Sequence, residues 1–267
     1  MSIQPVLMAT RQQLVTVAWS GLILFFLGLA LKQWWGVPEP GFMWVNSWGR
    51  QTPELWACLT QLGDTSVVFA LLAPVLCRHP RIYLAWLAAV PVGGAVSFVL
   101  KRGLDWPRPP DVMALDQLNV VGLVLNGRSF PSGHAITAVA VAMMVALHLP
   151  VPHAWRRPVQ LGLLSLALGV LLSRLAVGAH WPTDVLAGAG VGLLSAVVAA
   201  TVLLIYTGCF LGYHRILLVD WMSPTAQDTL YNWLVLLTTG LSVAFEYRFV
   251  MEYRMSRASR WLLRLLL

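Results

Sequence analysis

Six long apolar runs constrain this chain more than any other feature. Residues 14–31, 55–76, 82–100, 130–149, 159–177 and 185–207 each approach the ~20 apolar residues that a helix needs to cross a ~30 Å hydrocarbon core. A backbone in that medium must satisfy its own polar groups, which admits helices and closed barrels. Long, continuously apolar runs read as helices. Composition points the same way: 58% of residues are hydrophobic and 11% charged, with a mean hydropathy of +0.72, against about 25% charged in an ordinary soluble domain. The expected fold is all-α: a six-helix transmembrane bundle over residues 1–207, followed by a C-terminal extension, 208–267, of interfacial or re-entrant helices. The first run lacks a small-residue cleavage pattern, so it is expected to remain as the first helix.

Arg11, Arg78, Arg81, Arg156 and Arg157 fall on one side of such a bundle and Lys32 and Arg50 on the other, so the first side is expected to be cytoplasmic. A seventh apolar run, 229–245, complicates the count. With six spans Arg248, Arg254, Arg257, Arg260 and Arg264 lie inside, with seven outside; the charge rule favours six, leaving 229–245 interfacial or re-entrant. From Arg254 on, arginines alternate with Trp261 and leucines, which fits a basic amphipathic helix on an anionic leaflet and also a solvated tail. Cys58, Cys77 and Cys209 stand far apart without ligand-like spacing and read as apolar filling. Gly188 and Gly192, with Gly190 between them, form a GxxxG pair suited to close helix packing.

Three polar clusters interrupt the apolar runs: Lys101 to Pro109, Pro131 to His134, and Ser173 to Asp184. They bring one Lys, three Arg, two His and two Asp to helix ends, where an unpaired charge costs roughly 2.5–3.5 kcal/mol at membrane depth. All three fall at the outer ends of the third to sixth runs. In the first, prolines 107, 109 and 110 end the helix and hold the next segment extended, presenting Lys101 and Arg108 from different directions. In the second, Ser132 or Gly133 is a natural N-cap, so free N–H groups and the positive end of a helix dipole form an anion seat beside His134. In the third, Arg174 ends one helix and Pro182 suits the first turn of the next. The four-residue step from His180 to Asp184 lets the carboxylate reach back to the imidazole, fix its tautomer and raise its basicity. Zinc is not expected, because Lys and Arg beside a divalent ion would repel it.

Lys, six residues, Arg-Pro; Pro-Ser-Gly-His; Ser-Arg, five residues, His, three residues, Asp: this order resembles the tripartite signature of the type 2 phosphatidic acid phosphatase superfamily, which includes vanadium haloperoxidases. Residues 101–184 carry the match without substitution. The resemblance implies that His180 attacks phosphorus to form a phosphohistidine, that Asp184 orients His180, and that His134 protonates the departing oxygen. Lys101, Arg108, Ser132, Gly133 and Arg174 would hold the phosphate, with no metal or other cofactor. Spread charge on a loose phosphoryl transition state suits fixed cations and helix-end N–H groups. A neutral nucleophile and a protonated acid imply a bell-shaped pH profile, with Asp184 expected to pull His180 toward its charged form.

An outward-facing, bundle-embedded pocket suits a lipid phosphate. The resemblance implies undecaprenyl diphosphate, phosphatidylglycerophosphate, phosphatidate or a lipid A phosphate as the substrate, which the motifs do not tell apart because they grip only the phosphate. A phosphotransferase passing phosphate from undecaprenyl diphosphate to an acceptor such as lipid A is the alternative within the family. A lipid transporter or flippase is a distant one, for which paired broken helices and related halves would be needed. Residues 32–54 and 111–129, with Asp111, Asp116, Asn126 and Arg128, read as solvated loops or as head-group selectors. Asp64 either caps a shorter helix or faces the site. A bacterial inner membrane, with the site toward the periplasm, is the expected location; no nucleic-acid partner is expected.

Overall fold

A computed structural model describes residues 9–76, 80–149 and 151–216. The 229–245 run, the arginine-rich tail and most of the 208–267 extension lie outside the described residues. Among those described, the chain is all-helical: α1 (Arg11–Trp34), α2 (Phe42–Gln51), α3 (Pro53–Gln61), α4 (Thr65–Leu76), α5 (Pro80–Leu104), α6 (Pro109–Val112), α7 (Gly133–His148), α8 (His153–Ala176) and α9 (Pro182–Ile216). The protein is a multi-pass membrane protein. Four helices, α1, α5, α8 and α9, are long and apolar enough to cross a bilayer, and α3 with α4 makes a fifth if the pair is one span. The fourth expected run forms α7, which is shorter at 16 residues.

Helix α9 is the hub. Two thirds of its apolar window (67%) is buried, against 11% for α1 and for α5, and α1, α5 and α7 all pack on it. Small residues make this possible: without a hydrophobic drive between helices in lipid, close backbone approach supplies the packing. Gly188 and Gly192 face α7, where an added Cβ would lie 2.6 Å from the Ser132 carbonyl oxygen and 2.7 Å from that of Ile136. Gly190 faces the other way, toward α1, 2.5 Å from the Phe25 backbone nitrogen by the same measure. The GxxxG pair and the glycine between them therefore serve two different neighbours. Large apolar side chains point outward instead, among them Trp19, Ile23 and Phe26 on α1 and Leu161 and Leu164 on α8, as expected where the surrounding solvent is hydrocarbon.

Two expected segments differ. The second apolar run is not one continuous span, because α3 and α4 meet at a 71° bend across Leu62–Asp64. Gly63 sits in that bend against His134, whose Cβ would be 2.9 Å from an added Gly63 Cβ, so the break follows from crowding by α7 and α8. Asp64 caps the second half, its Oδ1 accepting the Ser66 N–H at 2.8 Å. The 32–54 stretch holds α2, whose Asn46 donates to the carbonyls of Asn119 and Leu175 at 2.9 and 3.0 Å and so ties this layer to α8. Overpacking costs typically 1–3 kcal/mol. Gly190→Leu is expected to destabilise the detergent-solubilised protein by at least about that much, read as a fall in thermal midpoint, because backbone atoms of α1 cannot yield to the new side chain.

Candidate active site

The N-terminus of α9 needs acceptors for its unpaired N–H groups. Asp184, in the first turn, supplies one by reaching back to the Trp181 N–H at 2.9 Å through Oδ2. The same oxygen accepts the Ser129 hydroxyl and lies 3.4 Å from His180 Nδ1, a long contact. Its partner Oδ1 accepts Lys32 Nζ at 3.1 Å. Glu39 supplies the next cap: its Oε2 accepts the Thr183 N–H at 3.0 Å, while Oε1 accepts the Thr183 hydroxyl at 2.7 Å and Lys32 Nζ at 2.8 Å. Asp184 and Glu39 are both buried, so each charge is compensated where water cannot reach.

His180 follows α8 and precedes α9, with its ring buried. Arg108 Nη1 lies 3.1 Å from His180 Nε2. A guanidinium can only donate, so Nε2 accepts with its lone pair and Nδ1 carries the proton toward Asp184. Burial and the charges of Arg108, Arg174, Lys101 and Lys32 together hold the imidazole well below its ordinary pKa of 6.5. This corrects the expectation that Asp184 draws His180 toward its charged form: the carboxylate is already shared with Lys32, Ser129 and the Trp181 N–H, and four cations outweigh it. The result is a neutral imidazole whose Nε2 lone pair is turned toward the Arg108 guanidinium.

The other motif residues lie at the same end of the bundle. Arg108 also donates from Nε to the Gly127 carbonyl at 2.8 Å and from Nη1 to that of Ala179 at 2.9 Å. Lys101, in the last turn of α5, donates to the Arg128 carbonyl at 2.7 Å. Arg174 donates to the Thr60 hydroxyl through Nη1, yet its buried Nε has no partner. Ser132 is the N-cap of α7, and its side chain makes no capping bond; its hydroxyl is likewise buried and unpaired. Its backbone N–H meets the Asp184 carbonyl at 2.9 Å, which fastens α7 to α9. In front of Gly133 the space is open, so the first-turn N–H groups of α7 face room for an anion. His134, one residue on, is within electrostatic reach of Arg174, His180, Arg108 and Lys101. All eight expected residues thus gather at one end of the bundle. A cavity of about 400 Å³ adjoins them, lined by Lys101, His134 and Asp64 at one side and by Trp86, Gly93 and Phe98 along α5. Asp64 therefore both caps α4 and faces the cavity.

Residues 81–206 match the PAP2 superfamily. All three polar clusters lie inside that matched segment. It is similar to the lipid A 1-phosphatase of Rhizobium etli, 28% identical over 172 residues, or 55% of this chain and 71% of the relative. A lipid A 1-phosphatase of Rhizobium johnstonii is 28% identical over 143 residues, 49% of this chain and 56% of that protein, so the match spans little more than half of this second relative. The crystal structure of Aquifex aeolicus LpxE is similar in fold, with a TM-score of 0.52 at 24% identity, covering 60% of this chain and 92% of that one.

Four residues at this site escaped the sequence reading as contributors: Lys32, Glu39, Thr60 and Ser129. Three of them precede residue 81 and the PAP2 match. A lysine ending the first apolar run and a lone Glu soon after were the available signals, both easily taken for interface anchors. In the 111–129 loop, Asp111 accepts the N–H groups of Arg108 and Gly127 at 2.6 and 2.8 Å; it shapes the loop that carries Arg108. Among the described residues no three His, Cys, Asp or Glu side chains are grouped to hold a metal ion. Hydrogen bonds to charged groups contribute about 1.5–3 kcal/mol. Arg174→Met is accordingly expected to weaken inorganic phosphate binding about tenfold or more in a titration of the solubilised protein. Arg102→Met, whose guanidinium stacks on Phe98, is expected to leave it unchanged.

Proposed function

We propose that this chain is a membrane lipid phosphatase of the PAP2 type, acting through a phosphohistidine on His180, with a lipid A 1-phosphate as its foremost substrate. The observation that carries the reading is the His180 Nε2 lone pair turned toward Arg108 at 3.1 Å, in a ring kept neutral by burial and surrounding cations. Such a nitrogen is a nucleophile aimed where an anion would sit.

In the proposed reaction, a phosphate displaces Arg108 from Nε2 and takes donors from Arg108, Lys101, Arg174, the Ser132 hydroxyl and the N–H groups opening α7. The unpaired Arg174 Nε and Ser132 hydroxyl favour this, since buried donors are costly until a ligand pairs them. Nε2 attacks phosphorus, an N–P bond forms, and the bond from phosphorus to the lipid oxygen breaks as His134 gives that oxygen a proton. Water then attacks the phosphohistidine, returning a proton to His134 and releasing inorganic phosphate. The cavity running from His134 along α5 to Trp86 suits an amphiphile whose phosphate alone enters the polar end. The lipid A assignment draws on the two Rhizobium relatives. The site is proposed to face the periplasm of a bacterial inner membrane.

The test is phosphate release from a panel of lipid A 1-phosphate, undecaprenyl diphosphate, phosphatidylglycerophosphate and phosphatidate, each with and without acceptor lipid. Release into water with lipid A 1-phosphate preferred is the expected result; acceptor-dependent transfer would make the chain a phosphotransferase. His180→Ala is expected to lower turnover by on the order of 10⁴–10⁶-fold and His134→Ala by about 10²–10⁴-fold, with a chelator leaving the parent unaffected. Because the His180 pKa is depressed, the neutral nucleophile persists below pH 6.5. The acidic limb of kcat/KM for the free enzyme is therefore expected below that pH, activity rising as pH climbs through it.

A further inference from the structure

We propose that Lys32, held by Glu39, is a positioning residue that ties off the outer oxygen of Asp184 and so sets how strongly Asp184 acts on the His180 imidazole. The proposal rests on the reading of His180 as nucleophile. Both Lys32 and Glu39 precede residue 81, outside the matched family segment.

Geometry carries the argument. Lys32 Nζ bridges Glu39 Oε1 at 2.8 Å and Asp184 Oδ1 at 3.1 Å, with side-chain exposure of 7%, 1% and 0% for the three. Two indole rings wall the ammonium in, Trp181 with its centroid at 5.5 Å and Trp106 at 6.0 Å. Glu39 in turn is fixed by both the N–H and the hydroxyl of Thr183, one residue before Asp184. An arrangement so enclosed holds Asp184 in one rotamer, with Oδ2 left for His180, Ser129 and the Trp181 N–H.

The electrostatic consequence has a sign. Facing His180 are Arg108 from the start of α6, Lys101 from α5 and Arg174 from α8, all cations, with His134 from α7. Behind it stand Asp184 from α9 and, one step farther, Lys32 and Glu39. Lys32 is among the charges that keep His180 neutral, so its removal leaves Asp184 unopposed and makes the imidazole easier to protonate. Removal of Glu39's charge acts in the opposite direction.

The test is the pH profile of kcat/KM for lipid phosphate hydrolysis by the full chain in nanodiscs. Lys32→Met is paired with Glu39→Gln, so that two buried carboxylates are not left facing each other. In that double variant the loss of Lys32, which touches Asp184 directly, outweighs that of Glu39, which stands one step farther from the ring. The acidic limb is therefore expected to move up by a few tenths of a pH unit, about a twofold loss at the foot of the limb, and Lys32→Arg to keep it near the parent position. Should the double variant fail to fold, Glu39→Gln alone, which keeps an acceptor for Thr183, is expected to move the limb to lower pH. A folded variant whose activity drops equally at every pH, with the limb unmoved, overturns the proposal and leaves Lys32 a structural strut. Full activity in His180→Ala would instead overturn the nucleophile on which it rests.

Discussion

A single buried carboxylate holds this structure to its purpose. Asp184 takes the Trp181 N–H, the Ser129 hydroxyl and the His180 ring on one oxygen and Lys32 on the other, while its backbone carbonyl takes the Ser132 N–H. α1, the 127–131 loop, the α7 start and the α8–α9 turn thus all meet at the first turn of α9. An unpaired carboxylate at this depth would be prohibitively costly. Each partner therefore has one placement that works, and the fold is registered by the need to compensate the charge.

Packing does the complementary work. In lipid no hydrophobic drive pulls helices together, so α9 relies on close approach through Gly188, Gly190 and Gly192. Such contacts bring helices together without fixing their rotation about each other finely; polar contacts at the α9 N-terminus do that. The site end is also where satisfaction stops. Arg174 Nε and the Ser132 hydroxyl are buried without partners, and Gly133 opens on empty space. A bundle that pairs Glu39, Asp184 and Lys32 so fully yet leaves these donors free is what the proposed phosphate-binding role requires.

Much of this was readable in the order of residues. Apolar runs of membrane length announced an all-α bundle, and the resemblance carried by Lys101, Arg108, Ser132, Gly133, His134, Arg174, His180 and Asp184 led to the expectation that these residues gather at one end of it. Partners distant in sequence were not readable. Lys32 and Asp184 are 152 positions apart, and no periodicity links them. The bend at Gly63 was half legible: Asp64 was read as the cap of a shorter helix or a residue facing the site, but what presses on Gly63, His134 and α8, belongs to other segments. The neutral state of His180 was expected, but the pull of Asp184 was overweighted for the same reason: Asp184 is its sequence neighbour, whereas the burial and the cations that outweigh it are assembled from α1, α5, α6 and α8.

The charge arrangement behind His180 suits the proposed reaction at two moments. Before attack the ring must be neutral, and the cations in front ensure it. After attack the N–P bond leaves the ring positively charged, with a proton still on Nδ1, and an anion behind it becomes stabilising. Asp184 alone would serve the second moment at the expense of the first by inviting a proton too early. Sharing one ammonium between Asp184 and Glu39 leaves the trio with a net charge of about minus one, spread away from the ring instead of concentrated on the oxygen facing it. The incoming phosphate then offsets the frontal cations as it binds, so the imidazole regains basicity only when its target is in place. Nucleophile, anion seat and distant lysine are in that sense one electrostatic device, assembled by the same contacts that register the helices.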